Sequence, residues 1–304
     1  MAITAKLVKE LRDKTGAGMM DCKKALMEVE GDIDKAIDVL RETGLSKAAK
    51  KADRIAAEGL VRLAFSEDGS KAAIVEVNSE TDFVAKNAEF IEFVEGVAQK
   101  ALEADVEDMD TFMALPFNED GTVQEALTAK ISKIGEKLSI RRFKVLKTPG
   151  TRYVGYVHGG GTIGVIVGLQ TPAVVEKITT IGKDVAMQVA SMSPKFVNGS
   201  EVDQEWLKSE EEIARPQLLN EGKKPELLDR IIPGKMKAIL KEVCLVDQKF
   251  VKNSDQTVGE YVADAAKAIG EAVGIAEMIR YEVGEGIEKR QDNFAEEVAA
   301  QMQK

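Results

Sequence analysis

One arrangement recurs along this chain and limits it to a narrow set of folds. Two alternating apolar runs joined by a tight turn, two helical stripes and a closing alternating run occur between residues 56 and 150, and again between 151 and 283. In the first copy Leu60 to Phe65 alternates, Glu67-Asp68-Gly69 turns, and Ala72 to Val77 returns, a hairpin with an Asp-Gly signal. Phe90, Phe93, Val94, Val97, Ala101 and Leu102 then share one helical stripe. A second helix is expected over Val123 to Leu138, and Ile140 to Leu146 alternates as a third strand. In the second copy Tyr153 to Val157 and Ile163 to Leu169 flank a glycine turn. Val174 to Met192 and Thr257 to Val273 follow as helices, and Ala276 to Val283 closes the unit. Each copy predicts a small antiparallel sheet covered by helices on one face, so the fold class is α+β.

Three further segments surround this pair. Residues 1–55 read as three short helices. Ile3, Leu7, Val8 and Leu11 form the first stripe, and Thr15-Gly16-Ala17-Gly18 breaks it. Met19, Met20, Cys22, Leu26 and Val29 begin the second. Gly31 ends that helix, Asp32 caps a third carrying Ile33, Ala36, Ile37 and Leu40, and Thr43-Gly44 closes it. So small a bundle has a marginal core and is suited to docking. Met19 and Met20 face different directions; either one fills the core, or both form an adaptable apolar contact. Lys47 to Glu58 reads as a linker or helical connector.

Residues 194–243 are inserted in the second copy. Val202, Trp206, Ile213 and Leu218 make one stripe, Gly222-Lys223-Lys224-Pro225 turns, and Leu227, Leu228, Ile231, Ile232, Met236, Ile239 and Leu240 return. This predicts an antiparallel helical hairpin, either projecting toward a partner or second copy, or folded back as a lid. Pro216 and Pro233 are expected to kink or shorten its helices. Residues 284–304 follow the second copy.

Little in the chain suggests bond chemistry. The net charge of −10 argues against nucleic acid, which needs a basic face; Lys47, Lys50 and Lys51 are the best basic cluster. Cys22 and Cys244 lie far apart and read as free thiols, and with a single histidine they are too few for a recognisable metal cluster. No apolar run approaches membrane-spanning length, and Met1-Ala2-Ile3-Thr4 leads straight into an amphipathic pattern, so a cytoplasmic protein without cofactor is expected. Gly159-Gly160-Gly161-Thr162-Ile163-Gly164 matches G-x-G-x-x-G, but β-branched Val165-Ile166-Val167 follows where a dinucleotide site needs a helix, so a hairpin turn is the better reading. His158, at the lip of that turn, lacks the partners acyl chemistry requires and suits a surface contact.

The remaining distinctive stretch runs from Asn78 to Asn87, between a strand pattern and a helix pattern. It sets an apolar ring, Phe83, beside a carboxylate, Asp82. Either Phe83 staples the helix entry to the core while Asp82 or Thr81 caps it, or the ring projects toward another molecule.

These segments resemble the elongation factor Ts family, the exchange factors of the translational GTPase elongation factor Tu. The resemblance is carried by the string Leu11 to Leu26, by Glu76 to Asn87, by Ile134-Gly135-Glu136, by His158-Gly159 with Ile163-Gly164, and by Arg280 to Lys289. It implies that residues 1–55 are a ubiquitin-associated-type (UBA-like) domain whose Met19, Met20, Cys22 and Lys23 contact the GTPase. It implies that Thr81, Asp82, Phe83 and Val84 dislodge the partner's magnesium, with Ile134, Gly135, His158, Val251 and Lys252 as further contacts. The insertion would be a coiled-coil hairpin for homodimerisation, and residues 284–304 a C-terminal docking module. An adaptor that binds the GTPase without exchanging its nucleotide is the alternative.

Overall fold

The computed structural model describes residues 3–104, 106–118 and 121–288. Most of the expected C-terminal module, residues 289–304, lies outside the described residues, as do Met1 and Ala2. Contacts divide the chain into two units: the described parts of Met1–Arg62, Val75–Lys144 and Glu282–Lys304, and Leu63–Ile74 with Val145–Tyr281.

The first unit begins with three helices, α1 (Ala5–Thr15), α2 (Met19–Glu28) and α3 (Ile33–Ala49). Thr4 caps α1 by accepting the Leu7 N–H, Gly16 ends it at φ 65, and Asp32 caps α3 through the Lys35 N–H. Val8, Leu11, Cys22, Ala25, Leu26 and Ala36 form their buried core. α3 does not stop at Thr43-Gly44. It runs on to Ala49 and absorbs the start of the expected linker, because the Leu-Ser-Lys-Ala-Ala that follows favours helix. Gly44 is buried, and a Cβ there would lie 3.5 Å from Thr128.

The sheet of this unit has strand order β1-β2-β5, from β1 (Glu58–Phe65), β2 (Ala72–Ser79) and β5 (Leu138–Leu146). Every residue of the central strand β2 is buried, which explains its nearly continuous apolar run. A single helical turn, α4 (Asp82–Ala85), separates β2 from α5 (Ala88–Glu103), and α5 buries the predicted stripe Phe90, Phe93, Val94, Val97, Ala101 and Leu102. The small elements α6 (Met109–Ala114), β3 (Pro116–Asn118) and β4 (Gly121–Thr122) are additions to the expected plan. α7 (Val123–Ile134) opens on a capping box between Thr122 and Glu125. It ends before the expected Leu138 because Gly135 turns left-handed at φ 86.

In the second unit β6 (Thr151–His158) pairs antiparallel with β7 (Ile163–Gln170), from Thr151 opposite Gln170 to His158 opposite Ile163. With β10 (Gly274–Glu282) the order is β10-β7-β6. Between β7 and β10 lie α8 (Val175–Met192), α9 (Gln204–Asn220), α10 (Leu228–Val243), β8 (Lys249–Phe250), β9 (Asn253–Thr257) and α11 (Val258–Ile269). Val165, Val167, Leu169, Ile178, Val185 and Leu245 belong to the core of this unit. Gly159, Gly160 and Gly161 all adopt positive φ in the hairpin turn, which runs into β7 and not into a helix. The helical insertion forms α9 and α10, packed through Leu218, Leu228 and Ile232. Of the expected kink or shortening, the shortening does not occur: Pro216 and Pro233 lie within these helices without ending them.

Candidate functional site

The site is built where β2 leaves the sheet of the first unit. Thr81 is the N-cap of α4, its Oγ1 accepting the Val84 N–H at 3.4 Å. Successive helical residues point about 100° apart, and here that rotation separates two apolar side chains. Val84 turns inward and is 8% exposed, whereas Phe83 turns outward and is 80% exposed. The staple reading is therefore corrected: Val84 holds the core and Phe83 is a free ring. Asp82 is also exposed; its carboxylate accepts from Lys86 Nζ at 2.6 Å, and that hydrogen bond holds its pKa below the ordinary value.

Two carboxylates fix this turn. Glu136, just after the left-handed Gly135 that ends α7, accepts the Thr81 N–H at 3.0 Å and the Thr81 hydroxyl at 2.8 Å. Glu80 accepts the backbone N–H of Lys137 and pairs with Arg54 at 3.2 Å. The Lys137 ammonium in turn donates to the carbonyls of Ala52 and Arg54, at 2.6 and 2.8 Å. The structure thus brings Thr81 to Val84 together with Ile134 and Gly135. A Cβ at Gly135 would meet nothing within 4 Å, so glycine is required there for its backbone angle and not for space.

Deeper in β2, Glu76 is wholly buried. It accepts from Arg141 at 3.0 Å, from Arg142, from the Gly284 N–H at 2.8 Å and from Asn78 Nδ2 at 3.1 Å. Burial pushes its carboxyl up, but the Gly284 N–H and the two guanidiniums outweigh it, and the group is held below its usual range. This knot ties the chain at residue 284 to the strand that carries the site.

Elsewhere in the first unit, Met19 and Met20 are 54% and 63% exposed, so neither fills the core. Lys23 is exposed beside them on α2. Cys22 is a correction: grouped with these residues as an expected contact, it is 0% exposed, and burial raises its thiol pKa. It faces the helix core, with Sγ 3.7 Å from the Ala17 carbonyl oxygen. Lys47 of the basic cluster pairs with Asp21 at 2.8 Å.

The second unit carries the other predicted contacts. His158 is exposed at the hairpin lip, its Nδ1 2.9 Å from the Tyr156 hydroxyl. Val251 projects from the turn between β8 and β9, its N–H donating to the buried Gln188 at 2.8 Å. Lys252 directs its ammonium at Asp184 of its own unit, at 2.5 Å. Sequence reasoning missed the bracing by Glu80 and Glu136. The available signal was the carboxylate directly after a helix-ending glycine, at Gly135-Glu136.

Among the described residues no group of three or more His, Cys, Asp or Glu is placed to hold a metal ion, and no helix is long and apolar enough to cross a membrane. An unpacked aromatic ring on a braced turn, with an exposed methionine pair in the same unit, is the equipment of a protein-binding factor.

The comparisons give that class its family. The model of the elongation factor TS family matches residues 80–285. Elongation factor Ts of Clostridioides difficile (strain 630) is 54% identical over 300 residues, covering 99% of both chains. Elongation factor Ts of Clostridium tetani (strain Massachusetts / E88) is 50% identical over 303 residues, covering 99% of this chain and 100% of its own. That of Clostridium novyi (strain NT) is 49% identical over 302 residues, covering 99% of each. The chain belongs to the elongation factor Ts family.

Proposed function

We propose that the chain binds elongation factor Tu carrying GDP, in the cytoplasm, and promotes release of the nucleotide by displacing magnesium with the Thr81 to Val84 turn. The observation that carries this reading is the exposure of Phe83 on a turn whose backbone is clamped to its own unit. A bound GDP is held through its phosphates and a shared magnesium ion. A partner that prefers the nucleotide-free shape weakens nucleotide by the same factor, because coupling is reciprocal. Each tenfold in affinity corresponds to about 1.4 kcal/mol of differential contact. Burial of one phenyl ring supplies about 2–3 kcal/mol, so the wedge provides part of a large acceleration and other surfaces the rest.

Those surfaces are Met19, Met20 and Lys23 on α2, as a UBA-like domain, together with Ile134, Gly135, His158 and Val251. Lys252 contributes its aliphatic stem, since its charge is paired with Asp184. The chemistry on the partner is dissociation and not bond making, so the chain is an exchange factor and not an enzyme. The α9–α10 hairpin, with Ile213, Leu219 and Leu227 exposed on it, is a coiled-coil surface for a second copy of the chain.

Stopped-flow release of fluorescent GDP from purified elongation factor Tu tests the reading. Exchange activity appears as a release rate that rises with factor concentration and saturates. Tight binding with an unchanged off-rate would instead make the chain an adaptor.

A further inference from the structure

Phe83 poses a mechanical question that its exposure makes sharp. A ring that is 80% exposed has almost no packing to set its direction. Its direction is set by its backbone, and that backbone is a single helical turn of four residues, too short to be stable on its own. Something else must hold α4 in place.

We infer that Glu136 is a positioning residue for the exchange reaction, acting on Phe83 through Thr81; the inference rests on the wedge reading of the site. One carboxylate takes both donors of Thr81, the N–H at 3.0 Å and the hydroxyl at 2.8 Å. With its proton directed at Glu136, the Thr81 hydroxyl keeps a lone pair for the Val84 N–H, the bond that starts α4. The clamp is reciprocal: Glu80, beside Thr81, accepts the N–H of Lys137, beside Glu136. Two adjacent residues on one segment therefore hold two adjacent residues on the other, and neither segment can slide without breaking both contacts. Arg54 on Glu80, and the Lys137 ammonium on the Ala52 and Arg54 carbonyls, join a third segment to the clamp. Glu136, Glu80, Lys137 and Arg54 need not touch the partner. Their effect is to deliver a rigid ring, and a misplacement of about 1 Å can cost up to about a hundredfold in rate.

The test measures GDP release from elongation factor Tu at saturating factor, and separately the affinity of the complex, for Glu136→Ala, Glu136→Gln and Thr81→Val, each alone and combined with Phe83→Ala. Glu136→Ala and Thr81→Val are expected to lower the saturated rate about tenfold while the dissociation constant moves less than about twofold. Glu136→Gln keeps one acceptor and is expected to fall between Glu136→Ala and the unaltered chain. In the Phe83→Ala background the Glu136 and Thr81 substitutions are expected to have no further effect on the rate, which a general loss of folding would not produce. A Glu136→Ala penalty of equal size with and without Phe83 would overturn the inference, as would an unaltered rate in Glu136→Ala and Thr81→Val while Phe83→Ala is slow. An unaltered rate in Phe83→Ala itself would refute the wedge reading, and the inference with it.

Discussion

Two strand-to-helix junctions occupy the same place in the repeated pattern, and they are built differently. In the second unit β7 passes to α8 through Thr171 to Val174, with no intervening helical turn and no side-chain cap on α8. In the first unit the path from β2 to α5 is longer and contains α4. Each junction leaves an apolar side chain outside: Val174 in one, Phe83 in the other. The helices that precede the last strands also match. α7 and α11 both open on a Thr/Glu capping box and close on a left-handed glycine, Gly135 and Gly270, followed by a glutamate. Glu136 holds Thr81 of the first junction by both its backbone N–H and its hydroxyl, whereas Glu271 meets the Lys177 side chain at 3.5 Å on the surface. The same scaffold position and residue type thus brace a turn in one unit and make a single surface ion pair in the other. A third contrast lies beneath the junctions. Three residues before the strand end, β2 buries the charged Glu76 and β7 buries Val167.

The contrast in the strands is expected to give the largest effect. Glu76→Ala leaves two guanidiniums without their buried partner and should cost about 3 kcal/mol in urea-induced unfolding. Because the native pKa of Glu76 lies below the ordinary 4.5, its contribution is present above pH 4.5 and is lost as pH falls through the native value. The unaltered chain should therefore lose stability below pH 4.5 more steeply than Glu76→Ala, and equal pH slopes would remove Glu76 from the acid response. The contrast between the junctions comes next. Phe83→Ala should slow GDP release by roughly thirty- to a hundred-and-fifty-fold, the equivalent of about 2–3 kcal/mol, whereas Val174→Ala should stay within about twofold. A large effect at Val174 would mean that both junctions act as wedges. The smallest effect is predicted for Glu271→Gln, which should change stability by less than about 0.5 kcal/mol, as expected for an exposed ion pair.

The repeated architecture was legible in the sequence because it rests on local periodicity. The α5 stripe from Phe90 to Leu102 and the presence of the β6–β7 hairpin follow from side-chain spacing and turn residues alone. Three features were not. α3 passes through Gly44 because one helix-weak residue costs only about 1 kcal/mol against the helix formers after it. Cys22 lies in a string shared with surface residues, and only the packing of three helices decides that it points inward. α4 is stabilised by a residue 55 positions away, a contact that no local pattern encodes. The sequence singled out Phe83 and left open whether it packs inward or projects, and the clamp that orients it was not readable.

The central claim is that the Phe83 ring loosens GDP by way of the partner's magnesium. It is tested most directly by comparing release rates with the unaltered chain and with Phe83→Ala, first in millimolar magnesium and then in excess chelator. Metal displacement predicts a large ratio between the two proteins when magnesium is present, and a ratio approaching one when no ion remains to be displaced. A ratio equally large in both conditions would contradict the claim, since the ring would then be acting on something other than the metal.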